Sequence, residues 1–283
     1  MRLDHILTCL DLERRQLTRT GERADRLADV TRLVSGGQHA IVFSSLSPDR
    51  ADAAIAREIA HHRALGVPFE WKVYAHDEPA DLGARLERQG FVAGEREAVL
   101  VCDVTTISDT PTAPGCRVVP VDDPEGLVQY RRVAEAVLRK NYDPTIRELG
   151  EALAAGSKGH RGYVAYIGTE PAAVGRLYTD ADSVFGGLYG GSTREEFRGR
   201  GCYRALVAAR ARDAQAFGAR FLIVDALPTS RPILERLGFQ WLTETWPCEW
   251  RPVPGSALGM RGPAEGAPEE SAPRRGSAIP GVG

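Results

Sequence analysis

The sequence predicts an α/β fold in which a mixed sheet is flanked by helices on both faces, with two copies of this arrangement in tandem. Three observations predict it. Apolar strand-like segments alternate with amphipathic helix-like segments between residues 116 and 251. A loop rich in Gly and Arg joins one such strand to one such helix. A helix that ends in Gly-Phe occurs in each half of the chain, at Arg85–Phe91 and at Ile233–Phe239.

Composition limits the class of protein. The chain has 283 residues, enough for one large or two small domains, and a net charge of −2 that favours neither a nucleic acid nor a membrane as partner. Its five cysteines form no Cys-x-x-Cys pair, so we expect no zinc site, no other metal and no disulfide framework. Arg2, Asp4 and Asp11 interrupt the first apolar residues, and no apolar run approaches the ~20 residues of a membrane span. These features predict a cytoplasmic protein.

Two shifts in composition divide the chain. We expect a first domain over residues 1–104, a linker over 105–115, a second domain over 116–251 and a disordered tail over 252–283. The linker lacks hydrophobic periodicity. The tail has few apolar residues, so burial cannot offset the entropy lost on ordering it.

The elements of the second domain follow from periodicity and turn residues. Spacings of three and four among Leu206, Arg210, Ala214 and Phe217 predict a helix, and Gly168-Thr169-Glu170 predicts a hairpin turn. The predicted order is a strand at 117–121, helices at 124–139 and 145–155, strands at 163–167, 173–178 and 184–193, a helix at 203–217, a strand at 221–226, a helix at 230–237 and a terminal strand pair near 239–250.

The first domain repeats part of this order. Ala53–Ala64 is predicted to be a helix and Phe69–Tyr74 a strand, and Arg85–Phe91 then echoes the closing helix of the second domain. The segment before the first helix, Ser44–Arg50, has no glycine and no paired arginines. We therefore expect a degenerate copy that binds no cofactor. The alternative is that the Leu-Glu-Arg-x-Gly-Phe pattern recurs by chance. His61 and His62 are predicted to lie on the surface of the first helix.

The loop of the second domain has the composition of a phosphate site. Gly199 and Gly201 let the backbone come close to a ligand, while Arg198 and Arg200 add positive charge. The N–H groups and dipole at the start of the following helix favour an anion. A pyrophosphate suits this site; the alternative is a tight turn with solvated arginines.

At these residues the chain resembles the GNAT superfamily of acetyltransferases, whose acetyl-CoA loop reads Gln/Arg-x-x-Gly-x-Gly/Ala. Arg198 and Gly201 match this pattern, and Tyr203 departs from it. The following strand and the Gly-Phe helix stand in the family's order and spacing. The resemblance covers residues 116–251 and implies acetyl-CoA as co-substrate, with no metal. It implies that acetyl-CoA is held by Gly191, Ser192, Thr193, Arg198, Gly199, Arg200, Gly201, Cys202 and Tyr203.

The usual catalytic side chains of the family are missing. Many relatives carry a Glu on the strand before the loop, where this chain has Gly187, and a Tyr four residues before the closing Gly, where it has Leu234. Tyr189 is a candidate for holding a water that takes the amine's proton, and it could instead be a packing residue. Tyr203 is a candidate proton donor, and it could instead be a wall of the cofactor channel.

For the acceptor, Asp225 is a candidate ligand of an ammonium group, with a turn or capping role as the alternative, and Tyr142 is a further candidate. The resemblance implies direct transfer of an acetyl group, in a ternary complex, to a primary amine of a small molecule or to an amino terminus. The sequence is compatible with a homodimer. The missing catalytic side chains motivate an alternative, a non-catalytic acyl-CoA-binding or regulatory protein. A further alternative is a loop that binds another phosphate.

Overall fold

A computed structural model describes residues 2–17, 23–35, 37–108, 113–138 and 141–252. The first half contains α1 (Leu3–Gln16), β1 (Arg23–Arg26), β2 (Val30–Ser35), β3 (Gln38–Ser44), α2 (Ala51–Leu65), β4 (Phe69–Tyr74), α3 (Leu82–Arg88), β5 (Val92–Ala93), β6 (Glu97–Asp103) and α4 (Val104–Ser108). The second half contains β7 (Cys116–Pro120), α5 (Pro124–Leu138), α6 (Asp143–Ala154), β8 (His160–Ile167), β9 (Glu170–Tyr178), β10 (Phe185–Thr193), α7 (Cys202–Ala216), β11 (Phe221–Ala226), α8 (Arg231–Glu235) and β12 (Gln240–Trp250). Residues 253–283, which carry nearly all of the predicted disordered tail, lie outside the described residues.

The strands form a single mixed sheet that runs through both halves. Its order is β1-β2-β3-β4-β12-β6-β11-β10-β9-β8-β7, and the short β5 pairs with β12. The pairs β3–β4 and β10–β11 are parallel, and each is joined through a helix, α2 or α7. The remaining neighbours are antiparallel. The predicted fold, two tandem copies of a mixed sheet flanked by helices, is confirmed.

The two halves exchange their last strands. In the second half, β11 pairs with β6 of the first half, with Leu222 opposite Cys102. In the first half, β4 pairs with β12 from the end of the described chain, with Thr245 opposite Tyr74. The predicted terminal strand pair at 239–250 is therefore wrong. The segment is one long strand with a bulge between Trp241 and Thr243, and its partners come from the first half.

Helices cover both faces of the sheet. On one face, α7 packs its Ala-rich side against β8–β11, and α2 and α3 cover the first-half strands around Trp71. On the other face, α5 and α6 cover β8 and β9 around Tyr130 and Val174. The helix α1 lies on that face as well, where Ile6 and Leu10 share a core with residues of both halves, namely Tyr74, Val99, Val101, Phe185, Phe221, Ile223 and Leu242. Thus α1 brings first-half side chains next to β10 and β11.

Two local predictions differ from the structure. Residues 105–108 of the predicted linker lie in α4, which is anchored because Val104 and Ile107 are both buried. Residues 109–112 lie outside the described residues, and the domain boundaries stay a prediction. His62 was predicted on the surface but is 1% exposed, because its ring stacks on Phe69 with 3.8 Å between ring centroids.

Candidate active site

The strands β10 and β11 diverge after three paired residues and leave an opening between them. They pair in parallel only from Phe185, opposite Phe221, to Gly187, opposite Ile223, although β10 continues to Thr193 and β11 to Ala226. A bulge on β10 between Tyr189 and Ser192, with Gly190 at φ +57°, turns the strand away. Backbone groups along this opening can pair with an extended ligand.

The loop that follows opens onto the start of α7. Gly199 and Gly201 have φ of +73° and +79°, values that favour glycine. The hydrogen-bond ladder of the helix begins with the Ala205 N–H donating to the Gly201 carbonyl at 3.0 Å. The amides of residues 202–204 thus precede the ladder and are available to a ligand. Arg198 and Arg200 are exposed beside them. Helix dipole, amides and arginines together present positive charge and hydrogen-bond donors at one point, an arrangement that can hold an anion.

The two glycines of the loop, Gly199 and Gly201, have different surroundings. A Cβ at Gly199 would meet no atom within 4 Å, which leaves room for a ligand there. A Cβ at Gly201 would lie 2.5 Å from the Ala113 Cβ, so Gly201 also allows the end of the predicted linker to pack against the loop. Cys202 is buried and its thiol is hydrogen-bonded to that of Cys116, so its sulfur lies in the core. That position leaves only the backbone of Cys202 to meet a ligand.

The other predicted acetyl-CoA residues line the edge of the opening. Gly191 is exposed, and a Cβ there would lie 2.7 Å from Tyr203 Cε2, so the Tyr203 ring covers this glycine. Ser192 and Thr193 are held by pairing with Val174 and Ala173 of β9. Tyr203 is thus placed as a wall of the opening. The structure brings the nine predicted residues onto one continuous stretch of backbone.

The Tyr189 ring occupies the space that a side chain at Gly187 would enter. A Cβ at Gly187 would lie 2.6 Å from Tyr189 Cε2 and 3.2 Å from its hydroxyl oxygen. The Tyr189 hydroxyl therefore lies close to where a side chain at position 187 would begin. Leu234, at the other departure from the family, is fully buried in the core under α7 and α8. Position 234 of this chain can donate no proton.

A solvent-open cleft of about 590 Å³ adjoins the point where the strands diverge. Gly187 and Ile223, the last paired residues, belong to its wall. Its polar lining comes from both halves of the chain: Glu13, Arg14 and Tyr74 from the first, and Tyr178, Tyr189 and Asp225 from the second. This cleft is the natural place for an acceptor, because it meets the acetyl-CoA opening at its inner end.

The two predicted acceptor ligands have different surroundings. Asp225 lines the cleft, but its Oδ2 forms a buried ion pair with the Lys72 Nζ. Although burial lowers it, the neighbouring Asp225 carboxylate raises the pKa of Lys72 above its ordinary value, so the lysine is charged. An ammonium ligand would have to compete with Lys72. Tyr142 is only 6% exposed and packs with Tyr130 and Leu149 beneath α5 and α6, so the structure does not bring it to the cleft.

A polar cluster behind the cleft was missed at the sequence level. The Tyr178 hydroxyl donates to Glu148 Oε1, and Arg176 Nη1 donates to Glu148 Oε2 at 3.2 Å. The His160 ring stacks on Tyr178 with 3.8 Å between centroids. The signal available was the two-residue period of β9, which places Arg176 and Tyr178 on the same face as Val174.

Among the described residues, no group of three or more His, Cys, Asp or Glu side chains is arranged to hold a metal ion. Within the same residues, the helices are too short or too polar to cross a bilayer.

Comparison with known proteins finds similarity in structure alone. No protein-family model matches the sequence, and no curated protein matches it. A GCN5-related N-acetyltransferase from Kribbella flavida is similar with a TM-score of 0.65 at 13% identity, covering 86% of this chain and 94% of that one. A functionally unknown conserved protein from Staphylococcus epidermidis is similar with a TM-score of 0.63 at 13% identity, covering 84% and 97%.

A tandem GNAT protein from the clavulanic acid biosynthesis pathway has a TM-score of 0.57 at 15% identity, covering 87% of this chain and 89% of that one. At such identities the likeness establishes the fold. It extends through both halves of the chain, as the tandem arrangement of the sheet requires. The chain has the fold of the GNAT N-acetyltransferases, in its tandem form.

Proposed function

We propose that the protein is an acetyl-CoA-dependent N-acetyltransferase that acts on a primary amine of a small molecule or an amino terminus. One observation carries the proposal: the diverging edge of β10 leads, through one short turn at Glu195–Phe197, into the glycine loop and the open amides at the start of α7. This arrangement suits an extended pantetheine arm that ends in a pyrophosphate. The fold of the solved GNAT proteins supports the same reading.

Direct transfer between two bound substrates fits the geometry best. The acceptor cleft meets the acetyl-CoA opening at Gly187, so the amine nitrogen can reach the thioester carbonyl without an intermediate on the protein. Cys102, Cys116, Cys202 and Cys248 are all buried, which leaves them unsuited to accept an acyl group. Acetyl-CoA supplies the activated acyl group; the chain's own residues hold, orient and deprotonate.

One site per chain is proposed, because the first half has no equivalent loop. There the first amide of α2 is already used, since Ala51 donates to the Ser47 carbonyl at 3.0 Å, as does Arg50 just before the helix. Arg85 Nη1 donates to the Pro48 carbonyl at 3.0 Å and closes this segment further. The indole of Trp71 reaches Ser44 at the end of β3 and covers the point where β3 and β4 would diverge.

A second candidate function, non-catalytic binding of acyl-CoA, is favoured by Gly187 and Leu234 at the positions where relatives carry catalytic side chains. Two measurements separate the candidates. Calorimetric titration with acetyl-CoA is expected to give one site per chain. Thiol release from acetyl-CoA, followed with phenylethylamine, putrescine and glycinamide, is expected to be accelerated by at least one of them. Binding without thiol release for any amine would favour the non-catalytic function, and absence of binding would contradict both.

A further inference from the structure

An N-acetyltransferase must remove a proton from its acceptor, and this chain lacks the family's carboxylate on β10. A primary amine is mostly protonated at neutral pH, since its pKa is about 10 for an alkylamine and about 8 for an α-amino group. The ammonium form has no lone pair with which to attack. Some group at the cleft must therefore accept a proton and pass it on.

Two tyrosines stand at the point where the acceptor nitrogen would arrive. Tyr178 and Tyr189 both line the cleft, and their rings contact edge to face with 4.8 Å between centroids. Aromatic faces attract an ammonium group through a cation–π interaction. Tyr189 lies over Gly187, next to the last paired residues of β10 and β11. A cation drawn to these rings would lie beside the Tyr178 hydroxyl.

The Tyr178 hydroxyl leads away from the cleft to a carboxylate. It donates to Glu148 Oε1 on α6, while Arg176 Nη1 donates to the other carboxylate oxygen at 3.2 Å and fixes its orientation. The Arg176 side chain is only 4% exposed, whereas that of Glu148 is 29% exposed. One oxygen of the Glu148 carboxylate thus accepts from the Tyr178 hydroxyl, while the side chain is partly open to solvent.

A second cavity, of about 520 Å³, lies beyond this carboxylate. It is open to solvent and lined by residues of α6 and of the following loop, among them Leu149, Ser157 and His160. His160 Nε2 lies 3.9 Å from Glu148 Oε1, and its ring stacks on Tyr178. The sequence of contacts therefore runs from the cleft through Tyr178 and Glu148 to His160 and a solvent-open cavity.

We propose that Tyr178 and Glu148 form a proton relay that carries the first proton of the acceptor ammonium from the cleft to the second cavity, with His160 at its outer end. This inference rests on the proposed function and names the groups that make the amine reactive. Tyr178 is the catalytic residue, because it lines the cleft that takes the acceptor. Glu148 acts through it.

The proton balance is simple. Tyr178 accepts a proton from the ammonium as it passes its own hydroxyl proton to Glu148, and that proton leaves through His160. The freed lone pair forms the C–N bond at the thioester carbonyl, and the C–S bond breaks with its electron pair on sulfur. The second nitrogen proton ends on the CoA thiolate. The net change is one acetyl group transferred and one proton released to solvent.

The test compares Glu148→Gln and Tyr178→Phe with the wild type across pH, using phenylethylamine, putrescine and glycinamide as acceptors. Each variant should lower kcat/KM about 10²-fold at neutral pH, the usual contribution of a positioned base. The defect should shrink as the pH approaches the pKa of the amine, because a neutral amine needs no relay. The charged and titratable groups around Glu148 are Arg176 and Tyr178 on β9, His160 on β8 and Tyr130 on α5.

The matched control is Glu151→Gln, which changes an exposed carboxylate one turn along the same helix. It should leave the pH profile unchanged, and acetyl-CoA affinity measured by calorimetry should be the same in all variants. The double variant should be no slower than the slower single variant, because both residues serve one pathway. If the wild type is active but the variants have no defect, or one that is constant with pH, the relay is overturned and the proposed function is not. A wild type that releases no thiol with any amine would overturn the proposed function, and the relay with it.

Discussion

Gly187 and Tyr189 share the space that one catalytic side chain would fill. Because a Cβ at position 187 would approach the Tyr189 ring to 2.6 Å, the glycine and the tyrosine depend on each other. No void is left beside Gly187, since the Tyr189 ring occupies the space that a side chain there would enter.

The dependence of Gly187 on Tyr189 predicts a coupling energy. Gly187→Ala should lower the free energy of unfolding by about 1–3 kcal/mol, the usual range for overpacking. In a Tyr189→Ala background the same change should cost clearly less, because the ring that it meets is gone. Urea unfolding of the four proteins of this double-mutant cycle measures the difference. An equal cost in both backgrounds would show that the ring moves aside freely.

His62 predicts how stability changes with pH. Burial lowers the pKa of His62 from 6.5 to about 4, because the stacked ring loses its hydration when charged. Between these pH values the unfolded chain binds more protons, so the free energy of unfolding contributed by this group falls as the pH falls from 6.5 towards about 4.

The variant His62→Phe should keep the stack on Phe69 and lose this part of the pH dependence. Burial raises the pKa of Glu70 to about 7, which gives an opposite slope, so the informative quantity is the difference between wild type and variant. His5→Gln, on the exposed side of α1, is the control and should keep the slope of the wild type. Parallel curves for wild type and His62→Phe would contradict the assignment.

At the scale of single residues, the sequence predicts a site formed by neighbours along the chain better than a site formed by residues far apart in the chain. The glycine loop before α7 could be predicted because its glycines, its arginines and the start of its helix are neighbours along the chain. The pair Tyr178–Glu148 joins residues from β9 and α6, and no spacing indicates it. Asp225 was predicted as a candidate ligand of an ammonium group, but its partner Lys72 comes from the other half of the chain, across strands whose order the sequence does not indicate.

At the scale of elements, the loop before α7 makes the sharpest prediction. Gly199 has a left-handed backbone and open space around its Cα, and Asp and Asn both tolerate that conformation. Gly199→Asp should weaken acetyl-CoA binding at least about 10-fold, because it places a negative charge where the pyrophosphate would lie. Gly199→Asn has the same shape without the charge and should have a small effect. Calorimetry on both variants measures the contrast; equal affinities would remove the loop from the site.

Elements with strong local patterns could be predicted to the residue. The strands Phe69–Tyr74 and Phe221–Ala226 have the bounds that their apolar runs indicate. The helix α1 was not predicted, although Leu3, Ile6, Leu7 and Leu10 have helical spacing and could have shown it. The bulge in β12 was not predictable, because it is needed only where one strand must bridge β6 and β4.

At the scale of the whole molecule, the exchanged strands make each half depend on the other. The core of the second half includes Ala98, Leu100 and Cys102 from β6, and that of the first includes Cys248 and Trp250 from β12. Pairing between residues more than a hundred positions apart leaves no local trace, which is why the sequence showed the repeat and not the exchange.

Residues 113–252 expressed alone should therefore fail to give a soluble, folded protein, since the edge of β11 and one side of β12 would lose β6 and expose apolar residues. Co-expression with residues 1–108 should restore a complex that purifies as one species and binds acetyl-CoA like the intact chain. The control is the intact chain cut between residues 108 and 113, which should stay associated. A second half that folds and binds acetyl-CoA alone would show that the exchange is not required.

The exchange of strands also determines where a label attached after β12 would lie. The strand β12 ends at Trp250, opposite Phe69, among the first-half strands, whereas the glycine loop lies in the second half beyond β11 and β10. A fluorophore or surface anchor attached just after Trp250 would therefore report on, or be held by, the half without the loop. Tethering the protein at that point would place the attachment beside β4 and β6, with β11 and β10 between it and the glycine loop.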